Sequence, residues 1–364
     1  MRTFLPLLVP AVLVSAALGA SACSSSGGSG FGGDGGTGGG GGGDAGFHFG
    51  SGTGVGPLGS GTGMMLTGVD SGGGGSGSGA TVTTIYADTD TALYTLDPAT
   101  NQVTMVGAFS GFSGSSGDNG ATDLAVDEAG DVYINSESVI YKATLPAGGT
   151  GTVTLQMIAT IALQSNSFYA LAFAPAGVLG SGETLVGGDN NGELWSIDPM
   201  SGATKDLGNF GPNPSESSKI LGLSGDIVFY LDSSGAPTGL ATIRSCDKGG
   251  GSCTSSNDYL AGIDMTALAG AYTSGTPAAS LLGGIYGGSS NSVGPGTSDS
   301  ELFGLGAWQG TVFGFGHDTG DLVTINTTSG AGMVITSMTG TEWAGAGVST
   351  KTTITISPPP PASK

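Results

Sequence analysis

Four acidic residues stand where they could do chemistry. Asp123 in "ATDLAVDEAGDVYIN", Asp226 in "SGDIVFYLDSSGAPTGLATI", Glu301 in "ELFGLGAWQGTVFGFG" and Glu342 in "TEWAGAGVSTK" each lie at or just ahead of a run of small apolar residues. If those runs are the inner strands of one closed ring, their starts gather near one mouth of a central channel. Four carboxylates there could bind Ca²⁺, a hard cation that takes oxygen ligands. Two of them could act as acid and base in glycoside hydrolysis. The plainest expectation is that they bond turn amides at the strand starts. Asp123 and Asp226 directly precede a hydrophobic pair, whereas the glutamates sit further out. The equivalent run "FYALAFAPAGVLGSGETLVGG" has Tyr169 and Ala170 at its start.

Other reactive types are few. Cys246 and Cys253 flank six residues, three of them glycine, in "SCDKGGGSC". In an exported chain that spacing predicts a hairpin disulfide. A metal site would need a nearby His or third thiol, and a redox pair a tighter Cys-x-x-Cys spacing. His317, in "GFGHDTGD", would have to serve any Ser-His-Asp triad. No G-x-S-x-G elbow accompanies it, so it reads as an exposed turn residue. Trp195, Trp308 and Trp343 could line a carbohydrate surface, but packing between sheets is their commoner use. "DTDTALYTLD" and "GGDNNGEL" lack the D-x-[DN]-x-[DN]-G spacing and distal Glu of a calcium loop and read as turns. No cofactor is expected, with Ca²⁺ the one candidate.

The elements that must position these residues are legible as repeats. "LYTLDPATNQVTMVG" (93–107), "LWSIDPMSGATKDLG" (194–208) and "LVTINTTSGAGMVIT" (322–336) are each a strand, a polar turn and a second strand. Asp97, Asp198 and Asn326 fall in register, where a short side chain accepts the amides of the following turn. Asn101, Gly202 and Gly330 supply its positive-φ position. "VIYKATLPAGGTGTVTLQMIA" and "YLAGIDMTALAGAYT" read as weaker copies. The small-residue strands quoted above precede most copies, and Ala and Gly suit strands crowded about an axis.

Four strands per repeated unit make an all-β fold, a β-propeller. Complete units run over about 121–162, 167–211, 219–285 and 300–337. An N-terminal piece, 82–109, has three outer strands, and "TEWAGAGVSTK" has one inner strand. Joined, they complete a fifth blade and remove the ring's open sheet edges. A sixth or seventh blade remains an alternative, with 273–298 the place for a sixth.

The rest of the chain describes location. Residues 1–22 have the layout of a secretory signal peptide: Arg2, an apolar run broken by Pro6 and Pro10, then small residues. Residues 23–80 are Gly/Ser-rich and cannot bury enough area to order themselves. They read as a tether with an r.m.s. reach on the order of 40 Å. His48 within it reads as incidental. The propeller is assigned to 81–356 and a proline-rich tail to 357–364. The formal net charge is −20, with only eight Lys and Arg residues. That argues against nucleic acid, whose phosphates a binder neutralises with basic side chains.

"ASAC" (20–23) resembles a bacterial lipobox, with Ala20 where Leu is usual. The resemblance implies that Cys23 is diacylated and anchors the protein in a membrane, and Ser24 fits export to the outer membrane. Ordinary A-x-A cleavage, giving a periplasmic or secreted protein, is the alternative. Lipidation would also explain the odd cysteine count, leaving Cys246 and Cys253 as an even pair. "ATDLAVDEAGDVYI" and "LWSIDPMSGATKDLG" resemble blades of bacterial exported lipoproteins with NHL or PQQ-like propellers. The adjacent cysteines of many PQQ dehydrogenases are missing, so the resemblance implies a scaffold rather than an activity. The functional expectation is a surface-anchored, non-enzymatic module for a glycan or protein ligand. The alternative is a glycan-active hydrolase or lyase using the channel-mouth carboxylates.

Overall fold

A computed structural model describes residues 84–351, except 116–117, 163–166, 190, 233, 249–252, 254–257, 287–301 and 328. The signal segment, Cys23, the tether, the proline-rich tail and Glu301 lie outside the described residues.

The strands assemble into five four-stranded antiparallel blades. Blade 1 holds β1 (Ile85–Asp88), β2 (Ala92–Asp97) and β3 (Gln102–Ser110). Blade 2 runs β4 (Asp123–Val126), β5 (Val132–Asn135), β6 (Val139–Thr144) and β7 (Val153–Thr160). Blade 3 runs β8 (Phe168–Ala174), β9 (Thr184–Asp189), β10 (Glu193–Ile197) and β11 (Thr204–Asn209). Blade 4 has β12 (Lys219–Leu231), β13 (Pro237–Asp247), β14 (Tyr259–Ile263) and β15 (Leu282–Tyr286). Blade 5 has β16 (Leu302–Trp308), β17 (Thr311–Gly316), β18 (Asp321–Ile325) and β19 (Gly332–Ser337).

The last strand, β20 (Gly345–Val348), pairs antiparallel with β1 and completes blade 1 from the other end of the chain. The inner strands then form a cycle: β20 packs on β4, β4 on β8, β8 on β12, β12 on β16 and β16 on β20. This five-membered ring of inner strands makes the domain a propeller. A short parallel bridge, Phe109–Ser110 against Val153–Thr154, ties the outer strands of blades 1 and 2.

The turns behave as their residues require. Asp97 accepts the Ala99 amide at 2.9 Å, Asp198 that of Met200 at 2.9 Å and Asn326 that of Ser329 at 3.0 Å. Asn101, Gly202 and Gly330 take φ of 58°, 71° and 71°. At Gly202 a side chain would also overlap the Thr160 carbonyl of blade 2. One sequence motif thus closes the outer hairpin of three blades.

The cores lie between blades. The largest joins blade 5 to both halves of blade 1 and to blade 4, around Trp343, Phe313 and Phe315. Small inner-strand residues permit the approach to the axis: a Cβ on Gly347 would overlap Leu124, and one on Gly304 would overlap Ala346.

One copy of the outer hairpin differs from expectation. "YLAGIDMTALAGAYT" is not strand–turn–strand. After β14 it enters a helix, α1 (Met265–Ser274). Asp264 caps it by accepting the Thr266 and Ala267 amides, and Gly275 ends it in the left-handed conformation with φ 72°. Leu268 and Ala271 bury against blades 3 and 4. Asp264 and Gly275 were legible end signals, but the helix is only ten residues long and its sequence of mostly small residues has little amphipathic period. Of the segment proposed for a sixth blade (273–298), the first two residues end α1, Leu282–Tyr286 form β15, the outer strand of blade 4, and 287–298 lie outside the described residues. Cys246 and Cys253 are joined as a disulfide at the end of β13.

Candidate functional site: a carboxyl pair on the propeller axis

The inner strands begin in equivalent ways. Asp123-Leu124, Ala170-Leu171, Asp226-Ile227, Gly304-Leu305 and Gly345-Ala346 occupy matching positions of blades 2, 3, 4, 5 and 1. In each, the second residue's amide is available to the axis, and two carboxyls collect all five. Asp123 Oδ1 accepts Leu124 N–H at 2.7 Å and Ala346 N–H at 3.1 Å, while its Oδ2 accepts Leu171 N–H at 2.5 Å. Asp226 Oδ1 accepts Ile227 N–H at 2.5 Å and its Oδ2 accepts Leu305 N–H at 2.5 Å. Every blade therefore donates one backbone amide to a side chain on the axis.

Local structure explains why the amides are free to do so. The inner strands of blades 3 and 5 carry β-bulges at their starts, after Phe168 and Leu302, and that of blade 4 carries one in its middle, after Leu223. A bulge releases a residue from the ladder and re-aims its neighbours. The released residues include Tyr169, Asp226 and Phe303. Thr242 completes the arrangement in blade 4, where its hydroxyl accepts the Asp226 amide and donates to the Leu302 carbonyl of blade 5.

Electrostatically the pair is costly. Asp123 and Asp226 are both 0% exposed and hydrogen-bonded to each other. Burial pushes Asp123 well above the usual carboxylate range, helped by the Asp226 charge and opposed by the Leu124 amide. Burial likewise raises Asp226, while its bonds to Asp123 and to the Leu305 and Ile227 amides pull it back. Two like charges in one buried site cannot both ionise cheaply, so burial and mutual repulsion favour a protonated pair.

A third carboxyl escaped the sequence reading. Asp88, the last residue of β1, is also 0% exposed, and neither of its carboxyl oxygens has a hydrogen-bond partner. It pairs across the ladder with Gly345, and paired residues share a sheet face. A Cβ on Gly345 would overlap Asp123 Oδ1, so Asp88 lies on the face turned toward Asp123. Burial first, then the Asp226 charge, raise it well above the usual range. The available signal was positional: Asp88, Asn135 and Asp189 each end the second strand of a blade.

The four sequence candidates therefore separate. Asp123 and Asp226 come together, but in the sealed axis rather than at an open mouth, because each blade's amide needs an acceptor there. Glu342 is exposed, and Glu301 is not among the described residues. Among the described residues no group of three or more His, Cys, Asp or Glu is arranged to hold a metal ion. His317 is not an exposed turn residue: it is half-buried, its ring stacks on Phe303 at 4.4 Å, and its Nδ1 lies 2.7 Å from the Trp343 carbonyl. Trp343 is fully buried, Trp308 packs on the same core and Trp195 donates to Asp189 at 2.9 Å. Asp189 in "GGDNNGEL" closes a turn by accepting the Asn191 and Glu193 amides.

No family model matches the chain, and no curated protein matches it. Among solved structures, it is similar to a protein of unknown function from Bacteroides thetaiotaomicron (14% identity, 71% of this chain and 56% of that one, TM-score 0.37). It is also similar to virginiamycin B lyase from Staphylococcus aureus (11%, 68% and 63%, 0.32). A third likeness is to a chain of a nidogen–laminin complex (11%, 73% and 98%, 0.36). The propeller assignment rests on the strand topology itself, to which likenesses of this degree add nothing.

Proposed function

We propose that the protein is a lipid-anchored, non-enzymatic binding module of the outer membrane or cell surface. Its propeller would be held clear of the membrane by the Gly-rich segment and present its faces to a glycan or protein ligand. The observation that carries this reading is the use made of Asp123 and Asp226. Their oxygens are engaged by amides from all five blades, which makes them part of the scaffold rather than a poised acid and base. A glycan array probed with the full chain, followed by turnover assays on any glycan retained, tests it. Retention without turnover supports the module. Turnover that Asp123→Asn or Asp226→Asn abolishes would establish the hydrolase or lyase reading instead. The anchor is tested separately by labelled palmitate in cells: Cys23→Ser should lose a label that the wild type carries, and an unlabelled wild type would refute the anchor.

A further inference from the structure

The pairing of β20 with β1 joins the two ends of the described chain within one blade. That seam is short, running from Ile85 opposite Val348 to Asp88 opposite Gly345. The orphaned carboxyl of Asp88 stands at its end, where the Asp88 carbonyl also accepts the Ala344 amide at 2.9 Å. Asp88 is turned toward the face that holds Asp123, with Asp226 beyond. Among the described residues of the elements packed on β1, no base relieves this set. Of the elements packed on β1, β16 and β20 carry no titratable group, β2 carries Tyr94 and Asp97 further along, and β4 carries Asp123. Asp90 follows in the adjoining turn and adds like charge. On β12, Lys219 is engaged with Asp247 at 2.7 Å. The nearby Arg244 lies 3.8 Å from Asp258.

We propose that Asp88, Asp123 and Asp226 form a proton-held clasp on the closure seam, which packs shut while the set is protonated and loosens as the set ionises. An unpartnered charge buried at the seam is far more expensive than a neutral carboxyl. Its cost falls on the four-residue pairing that joins the two ends of the propeller chain.

The sign follows from proton counting. All three groups are raised by burial. Above the ordinary carboxylate range, near about pH 4, the unfolded chain has released these protons while the folded ring still holds them. The folded state then binds more protons, so stability falls as pH rises toward the raised values and levels off beyond them. The acidic surface adds a general repulsion of the same sign, so a surface control is required.

Thermal melts of the full chain at about pH 4 and about pH 8, for wild type, Asp88→Asn and the exposed control Glu216→Gln, test the clasp. The wild-type Tm should fall between the two conditions. Asp88→Asn should restore several degrees at the higher pH and little at the lower, and the control should do neither. Hydrogen exchange at the higher pH should open β1 and β20 ahead of β9 and β10 in the wild type, but not in Asp88→Asn. An Asp88→Asn protein that melts no higher than wild type at the higher pH, or exchange that opens all blades together, overturns the proposal. Should that variant fail to fold, unfolding the wild type at neutral pH in weak buffer gives the answer. Release of at least about one proton per chain supports the clasp, and no release overturns it.

Discussion

Three carboxyls are buried on one axis, and the protein treats them in two ways. Asp123 and Asp226 accept five backbone amides between them, one from each blade, and each also touches the other. Asp88, only one strand away, has no partner for either oxygen. A ring of repeats brings backbone donors together at its centre without any further design, because equivalent amides point the same way. A carboxyl placed at that convergence ties the blades. One placed a strand further out gains nothing from the symmetry and bears the full cost of burial.

The sharpest way to break this contrast is to remove the shared acceptor. Asp123→Ala strips three amides, from blades 1, 2 and 3, of their partner. Each buried donor left unsatisfied costs about 1–3 kcal/mol, so denaturant midpoints should record a loss of at least about 3 kcal/mol or outright unfolding. Asp226→Ala strips two, from blades 4 and 5, and should cost less. An equal loss for the two would show that amide satisfaction is not what ranks them.

A steric test comes next. Gly345→Ala drives a methyl into Asp123 while standing opposite Asp88. Overpacking of this kind costs about 1–3 kcal/mol, and the loss should shrink in an Asp123→Gly background, where the methyl has room. The smallest effect belongs to an ordinary cap. Asp264 also takes two amides, those opening α1, but at the surface. Asp264→Ala should cost about 1 kcal/mol, which calorimetric Tm values of the variant would record.

Much of the architecture was readable because it is written locally. Asp97, Asp198 and Asn326 close the same turn by bonding amides two or three residues away, and the repeat marks three of the five blades. The cysteine pair is separated by six residues and closes as its spacing implies. The helix α1 was missed because its ten residues are held by packing between blades 3 and 4, with little period of their own. His317 reads as exposed from its own turn because Phe303 and Trp343, its neighbours, arrive from other segments.

The axis shows where local reading stops. Asp123 and Asp226 were singled out from their place before an apolar run, and the structure does bring them together. Whether they face solvent or amides depends on Leu171, Leu305 and Ala346, of which the nearest to its acceptor in sequence is 48 residues away. Asp88 drew no attention because its context, "IYADTD", reads as a strand followed by a turn.

By itself the sequence determined the β-propeller and the chemistry of its turns, and left the blade number at five with six or seven as alternatives, since these readings depend on alternation, small residues and side chains bonding their own neighbours. Only the tertiary structure decided which carboxyls are satisfied and which is stranded. That outcome depends on how the ring closes: β20 meeting β1 brings residues more than 200 positions apart into contact, and it is there that burial sets the charge of Asp88.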